Sequence, residues 1–203
     1  MKALLLIDIQ NDFLPGGALA VAHGEEVIPV ANAHLSQYDL VVATQDWHPA
    51  DHRSFASQHA GQRVFDQITL PLPNQSSHQQ ILWPDHCVQH TRGAELAPGL
   101  SVAEIDQVIQ KGIDREFDSY SGFFDNARAH STGLEAYLRE RGVEEVHVLG
   151  LATDYCVRAT ALDALRLGFR VVVISAGCRG VEQIAGDCER AFEEMRQAGA
   201  EIR

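Results

Sequence analysis

The chain has 203 residues, 45% hydrophobic and 22% charged, the make-up of an ordinary globular protein with room for one sizeable core. Its formal net charge of -12 argues against a partner gripped through a phosphate backbone, so no nucleic-acid role is expected. No apolar stretch approaches the roughly 20 residues of a membrane helix, and four cysteines are too sparse for a disulfide scaffold, so free thiols in a reducing, cytoplasmic compartment are expected.

The opening Met1-Lys2-Ala3-Leu4-Leu5-Leu6-Ile7 starts like a secretion signal. Asp8 ends the run early and no small-residue cleavage site follows, so Ala3 to Ile9 reads as a buried first strand. Glu25 to Leu35 is a predicted helix, and Leu40 to Thr44 the second strand. From about Trp47 to Gly99 the rhythm breaks into a His-, Pro-, Gln- and Ser-rich segment, and an irregular stretch of that length inside a compact domain is often functional. Val108 to Gln110 is the third strand, and Ser131-Thr132 can cap a helix to Arg141. The fourth strand is Val146 to Gly150, followed by a helix from Tyr155 to Leu167 that Gly168 stops. The fifth is Arg170 to Ile174, then a helix over Val181–Gln197 and a short sixth strand at Ala200-Glu201-Ile202. Continuous apolar strands alternating with helices predict a single α/β domain with a parallel sheet covered on both faces.

Ligands of an open parallel sheet bind outside the carboxyl ends of its strands. Strand one ends at Asp8, strand two at Asp46-Trp47-His48, strand three at Lys111, and strand four leads to Thr153-Asp154-Tyr155-Cys156. An acid, a metal-type pair, a base and a thiol therefore share one rim. Cys156 lies where a buried strand meets a helix, whose first-turn N–H groups favour a thiolate, lower its pKa and could hold an oxyanion. Taken alone it is also what most free cysteines are, a small buried hydrophobe. Asp8, behind an apolar run, should have a raised pKa suited to proton transfer, although a turn acid would look the same. Lys111 alone reads as solvated; on this rim it can pair with Asp8 and support a thiolate.

Asp46 and His48 are two apart, so on extended chain they point the same way and form half a metal site. His86 can complete a carboxylate-plus-two-imidazole set, with His52, Ser54 and Cys87 as further candidates. Ten histidines make accidental pairs easy, and no His-Glu-x-x-His or paired Cys-x-x-Cys is present. Phe13 and Trp83 can offer faces to a planar substrate or simply pack.

Together these pieces resemble the isochorismatase-like cysteine hydrolases, and within them the nicotinamidase group. The resemblance rests on Asp8-Ile9-Gln10-Asn11-Asp12-Phe13, Thr44-Gln45-Asp46-Trp47-His48-Pro49-Ala50-Asp51-His52, Leu82-Trp83-Pro84-Asp85-His86-Cys87-Val88, Lys111-Gly112, Ser121-Gly122-Phe123 and Gly150-Leu151-Ala152-Thr153-Asp154-Tyr155-Cys156-Val157, in that order along nearly the whole chain. It implies a three-layer α/β/α, Rossmann-like fold with six parallel strands, the first and fourth adjacent, and a non-proline cis peptide at Leu151-Ala152. It further implies a catalytic triad of Asp8, Lys111 and Cys156, an oxyanion hole of the Ala152 and Cys156 N–H groups, and substrate walls Phe13 and Trp83. A divalent metal on Asp46, His48 and His86 is implied too: zinc, with iron or manganese as alternatives. The implied reaction converts the small-molecule substrate nicotinamide to nicotinate and ammonia, with pyrazinamide as a further substrate. A relative acting on ureido or carbamoyl compounds is the alternative. A homo-oligomer is compatible with these features.

Overall fold

The computed structural model describes residues 1–71 and 77–203. Among these described residues eight strands and four α-helices follow in chain order, and six of the strands form the main sheet. Its members are β1 (Lys2–Ile7), β2 (Leu40–Asp46), β5 (Gln107–Lys111), β6 (Glu145–Leu151), β7 (Arg170–Arg179) and β8 (Glu201–Ile202), in the order β5-β2-β1-β6-β7-β8. Every pairing is parallel. Ala3 to Ile7 are all fully buried without alternation. That pattern requires cover on both faces of the sheet, which explains the unbroken apolar run.

The chain leaves β1 toward β2 and β5 on one side, then returns to β6 on the other. The reversal point lies between β1 and β6, where Ile7 stands opposite Gly150. This register sets Asp8 beside the segment leading to Cys156. On the other side of β1, Asp46 at the end of β2 stands opposite Lys111 at the end of β5.

Helix α1 (Val27–Leu35) follows a 3-10 turn at Gly24–Glu26 and packs on β6 and β7. Helix α2 (Leu134–Glu140) starts where expected: the Ser131 hydroxyl accepts the Gly133 N–H and the Thr132 hydroxyl accepts that of Leu134. A wide π-type turn at Thr153–Val157 precedes α3 (Arg158–Arg166), which ends ahead of Gly168 in a left-handed conformation, φ +84°.

Two expectations needed correction. The last helix, α4, runs Asp187–Ala198 instead of starting at Val181. The Asp154 carboxylate accepts the N–H groups of Val181 and Glu182, and Glu182 accepts those of Gly186 and Cys188, so side chains hold this stretch as a loop. The segment from Trp47 to Gly99 also contains an antiparallel pair, β3 (Gln67–Pro71) with β4 (Ser77–Ile81). β4 is polar, and in β3 only Ile68 and Leu70 alternate with polar neighbours, too short a run to read as a strand. The strand assignments otherwise hold, most of them a residue or more longer than the apolar run alone. The Leu151-Ala152 peptide is cis.

Candidate active site

Asp8 follows β1 in a left-handed conformation, φ +47°, and is fully buried. Thr44, on β2, donates its hydroxyl to Asp8 Oδ1 at 2.6 Å while accepting the Asp8 N–H at 3.1 Å. The other oxygen, Oδ2, lies 2.9 Å from Lys111 Nζ and receives no well-directed hydrogen bond, which leaves it acceptor capacity.

Lys111 closes β5 with its ammonium 1% exposed. Besides its ion pair with Asp8, it donates to Asp46 Oδ1, to the Ser119 carbonyl at 2.8 Å and to Cys156 Sγ at 3.5 Å. A buried ammonium survives only with such partners. Cys156 sits in the turn after β6, whose Ala152 carbonyl accepts the N–H groups of Tyr155 and Val157. Asp8, Asp46 and Cys156 each bring one atom within 4.8 Å of the others.

Burial raises the Asp8 carboxyl to about 6, against the pull of Lys111. Burial alone would raise Asp46 too, but Lys111, His48 and His86 outweigh it and hold that carboxyl well below the usual range. Lys111 is driven well above its ordinary value, because Asp46 and Asp8 outweigh the cost of burying its charge. For Cys156 the expected lowering is overturned: burial pushes the thiol well above its ordinary value despite Lys111. A turn's N–H groups are a weaker influence than complete desolvation. The resting sulfur thus keeps its proton beside a carboxylate able to take it.

The second cluster adjoins the first. Asp46, His48 and His86 are buried, with one ligand atom from each within 4.8 Å of the others. Asp46 Oδ2 lies 3.6 Å from His48 Nε2 and 3.9 Å from His86 Nε2. The His48 Nδ1–H donates to the Gly112 carbonyl at 2.9 Å and the His86 Nδ1–H to that of Pro84 at 2.8 Å. Each ring is thereby turned so that its Nε2 lone pair faces the carboxylate, the orientation that metal-binding imidazoles take from their outer partners. Burial and the neighbouring His48 lower the His86 imidazolium to about 4, which suits a neutral ligand. Gln10 fixes Asp46 from both sides: its amide nitrogen donates to the Asp46 carbonyl and its oxygen accepts the Asp46 N–H. The donor set fits a divalent metal such as zinc.

Of the further candidates, His52 hydrogen-bonds the Ser54 hydroxyl and groups with His48 and Asp118. Cys87 joins no metal-type group among the described residues; its N–H goes to Asp12 and its thiol is buried and pushed well up by that burial.

Both clusters face one narrow cavity, with about 20 Å³ free for water-sized occupants. Phe13 and Trp83 line it, their ring centres 5.6 Å and 6.4 Å from that of His86. Reading the sequence missed five other lining residues, Leu19, Asp118, Tyr120, Tyr155 and Val181, three of which carry polar groups. The Tyr120 hydroxyl accepts the Trp83 indole N–H at 3.2 Å, Tyr155 sets its ring edge-on to Trp83 at 4.8 Å, and Asp118 lines the same cavity with one oxygen within 4.8 Å of ring nitrogens of His48 and His52. Tyr120 and Asp118 lie just before the quoted Ser121-Gly122-Phe123, and Tyr155 inside the nucleophile segment, so only their neighbours gave a signal.

An isochorismatase domain model matches residues 2–203. The chain is 49% identical to a nicotinamidase of Escherichia coli over 205 residues, covering 99% of this chain and 93% of the relative. Its fold superposes on the yeast nicotinamidase bound to the inhibitor nicotinaldehyde with a TM-score of 0.94, at 32% identity and covering 100% and 99% of the two chains. It also matches a pyrazinamidase of Pyrococcus horikoshii in complex with zinc, with a TM-score of 0.79, at 38% identity and coverage of 100% and 98%.

Proposed function

The chain belongs to the isochorismatase family, and we propose that it is a nicotinamidase, a cysteine amidohydrolase that converts nicotinamide and water to nicotinate and ammonia. The observation that carries the reading is the meeting of Asp8, Lys111 and Cys156 with Asp46, His48 and His86, of which Cys156, Asp46 and His86 line one narrow cavity.

In the mechanism we propose, Asp8 takes the proton of Cys156 and the sulfur attacks the carboxamide carbon. The N–H groups of Ala152 and Cys156 receive the developing oxyanion. Protonated Asp8 then gives its proton to the departing ammonia, leaving a nicotinoyl thioester on Cys156. Asp8 next takes a proton from the attacking water, and nicotinate leaves with the thiol restored. Lys111 stabilises the anionic forms of both partners. Phe13 and Trp83 hold the ring between them, excluding water. Asp46, His48 and His86 would hold a divalent metal, zinc in our reading, which would supply binding and orientation for the pyridine ring. Pyrazinamide, with the same ring geometry, is a second substrate.

We read residues 1–203 as one domain, its irregular segment from about 47 to 99 carrying His48, Trp83 and His86. No helix among the described residues is long and apolar enough to cross a membrane. Four unpaired cysteines support a cytoplasmic location.

The test is ammonia release from nicotinamide by metal-replete protein beside its Cys156→Ala variant. We expect rapid release by the first, at least a thousandfold less by the second (about the scale of losing a catalytic nucleophile), and equal metal content. Near-equal rates would remove the covalent mechanism; no release by either would redirect the search to ureido substrates.

A further inference from the structure

Asp118 has no place in the mechanism above, yet its carboxylate is 5% exposed and lines the cavity with Asp46 and His86. Its Oδ1 accepts the Ser119 N–H and its Oδ2 the Gln80 amide, each at 2.8 Å. No ion pair reaches it among the described residues. One ligand atom of Asp118 nevertheless lies within 4.8 Å of one on His48 and one on His52. Asp118 thus adjoins the metal-type cluster at His48 without belonging to the Asp46–His48–His86 group.

A buried carboxylate held only by neutral donors is costly, and a neutral side chain could fill the same space. The formal charges around the cavity show what offsets the cost. Asp8, Asp46 and Asp118 are all buried, with Lys111 the one buried ammonium among them, so the carboxylates exceed it by two. A dication balances that excess. Asp118 is also aimed: Gln80 reaches it from β4, and the Ser119 carbonyl next to it accepts the Lys111 ammonium, so the same loop serves both clusters.

We propose that Asp118 is a positioning residue for the metal, raising the affinity of Asp46, His48 and His86 for a divalent cation through its charge from outside the ligand group. This rests on the metal reading made above. Outer partners of metal ligands commonly contribute about 10–100-fold in affinity.

The test is zinc titration of chelator-stripped protein against a competing chromophoric chelator, for wild type, Asp118→Asn, Asp118→Glu and His48→Ala. We expect Asp118→Asn to bind zinc at least about tenfold more weakly, while its stripped form melts no lower than stripped wild type. Asp118→Glu, which keeps the charge, should stay within about threefold of wild type. Affinities of Asp118→Asn and wild type within twofold of each other would overturn the proposal, as would equal losses in the Asn and Glu variants. If Asp118→Asn fails to fold, a tenfold loss in folded Asp118→Glu overturns it equally. Failure of the underlying reading looks different: wild type would then hold zinc no better than His48→Ala.

Discussion

Asp8 works at the scale of a single side chain, and its environment sets when it can act. Burial lifts its carboxyl to about 6, so at neutral pH it is ionised and able to accept the Cys156 proton. Below that value it is protonated and the base is lost. The logarithm of kcat/KM should therefore fall with a slope near one as pH drops below about 6. A pH–rate profile checks this; activity unchanged down to pH 4.5 would exclude Asp8 as the base. Cys156 shows why one residue type is a poor guide to chemistry. Four thiols are unpaired, and Cys87 and Cys178 are as thoroughly buried as Cys156, but only Cys156 has Lys111 at its sulfur and Asp8 beside it.

Strand ends bring these side chains together, and the junction after β5 does so with little room to spare. Gly112 has φ +63°, and a Cβ there would stand 2.3 Å from His48 Cε1 and 2.6 Å from Nδ1. The same Gly112 carbonyl orients the His48 ring. Gly112→Ala should therefore displace His48 and lower metal content severalfold. Gly142 offers the control, since it has φ +69° with nothing within 4 Å of an added Cβ. Gly142→Ala should lose only the roughly 1–2 kcal/mol of a left-handed residue with a side chain, at full metal content. Metal analysis and melting curves of the two variants distinguish local displacement from backbone cost.

The opposite end of the sheet ties the molecule together without touching the site. Glu145, at the start of β6, pairs with Lys2 of β1 at 3.0 Å and with Arg170 of β7 at 3.1 Å. It also accepts the His147 Nε2–H at 2.7 Å, while the Tyr38 hydroxyl meets His147 Nδ1 at 2.7 Å. The bond from His147, followed by that from Lys2, holds the Glu145 carboxyl down to about 2, from an ordinary 4.5. A carboxyl depressed in the folded state stabilises the fold above its unfolded pKa and loses that contribution as pH falls through the folded one. Wild type should lose stability between about pH 4.5 and 2, and Glu145→Gln should lose less over that range. Urea midpoints at pH 6 and pH 3 measure it; equal drops in both proteins would remove Glu145 as an acid-sensitive tie.

Much was legible in the residues themselves because strand burial and strand-end chemistry are written locally. The unbroken Ala3–Ile7 run marked a strand covered on both faces, and the parallel-sheet rule assigned Asp8, Asp46, Lys111 and Cys156 to one rim before any distance was known. Local signals failed where side chains from far along the chain decide the backbone. Asp154 holds Val181 and Glu182 out of a helix that their own pattern suggests. β3 and β4 pair through backbone bonds that a polar sequence does not announce. Asp118 and Tyr120 reach the cavity from the stretch after β5 and Tyr155 from the turn after β6, which only the folded chain brings together. The sign of the Cys156 shift likewise depended on total burial, a property of the packed molecule. Residue types and their order determined which chemistry was available; close packing decided which groups meet, in what protonation state and behind which walls.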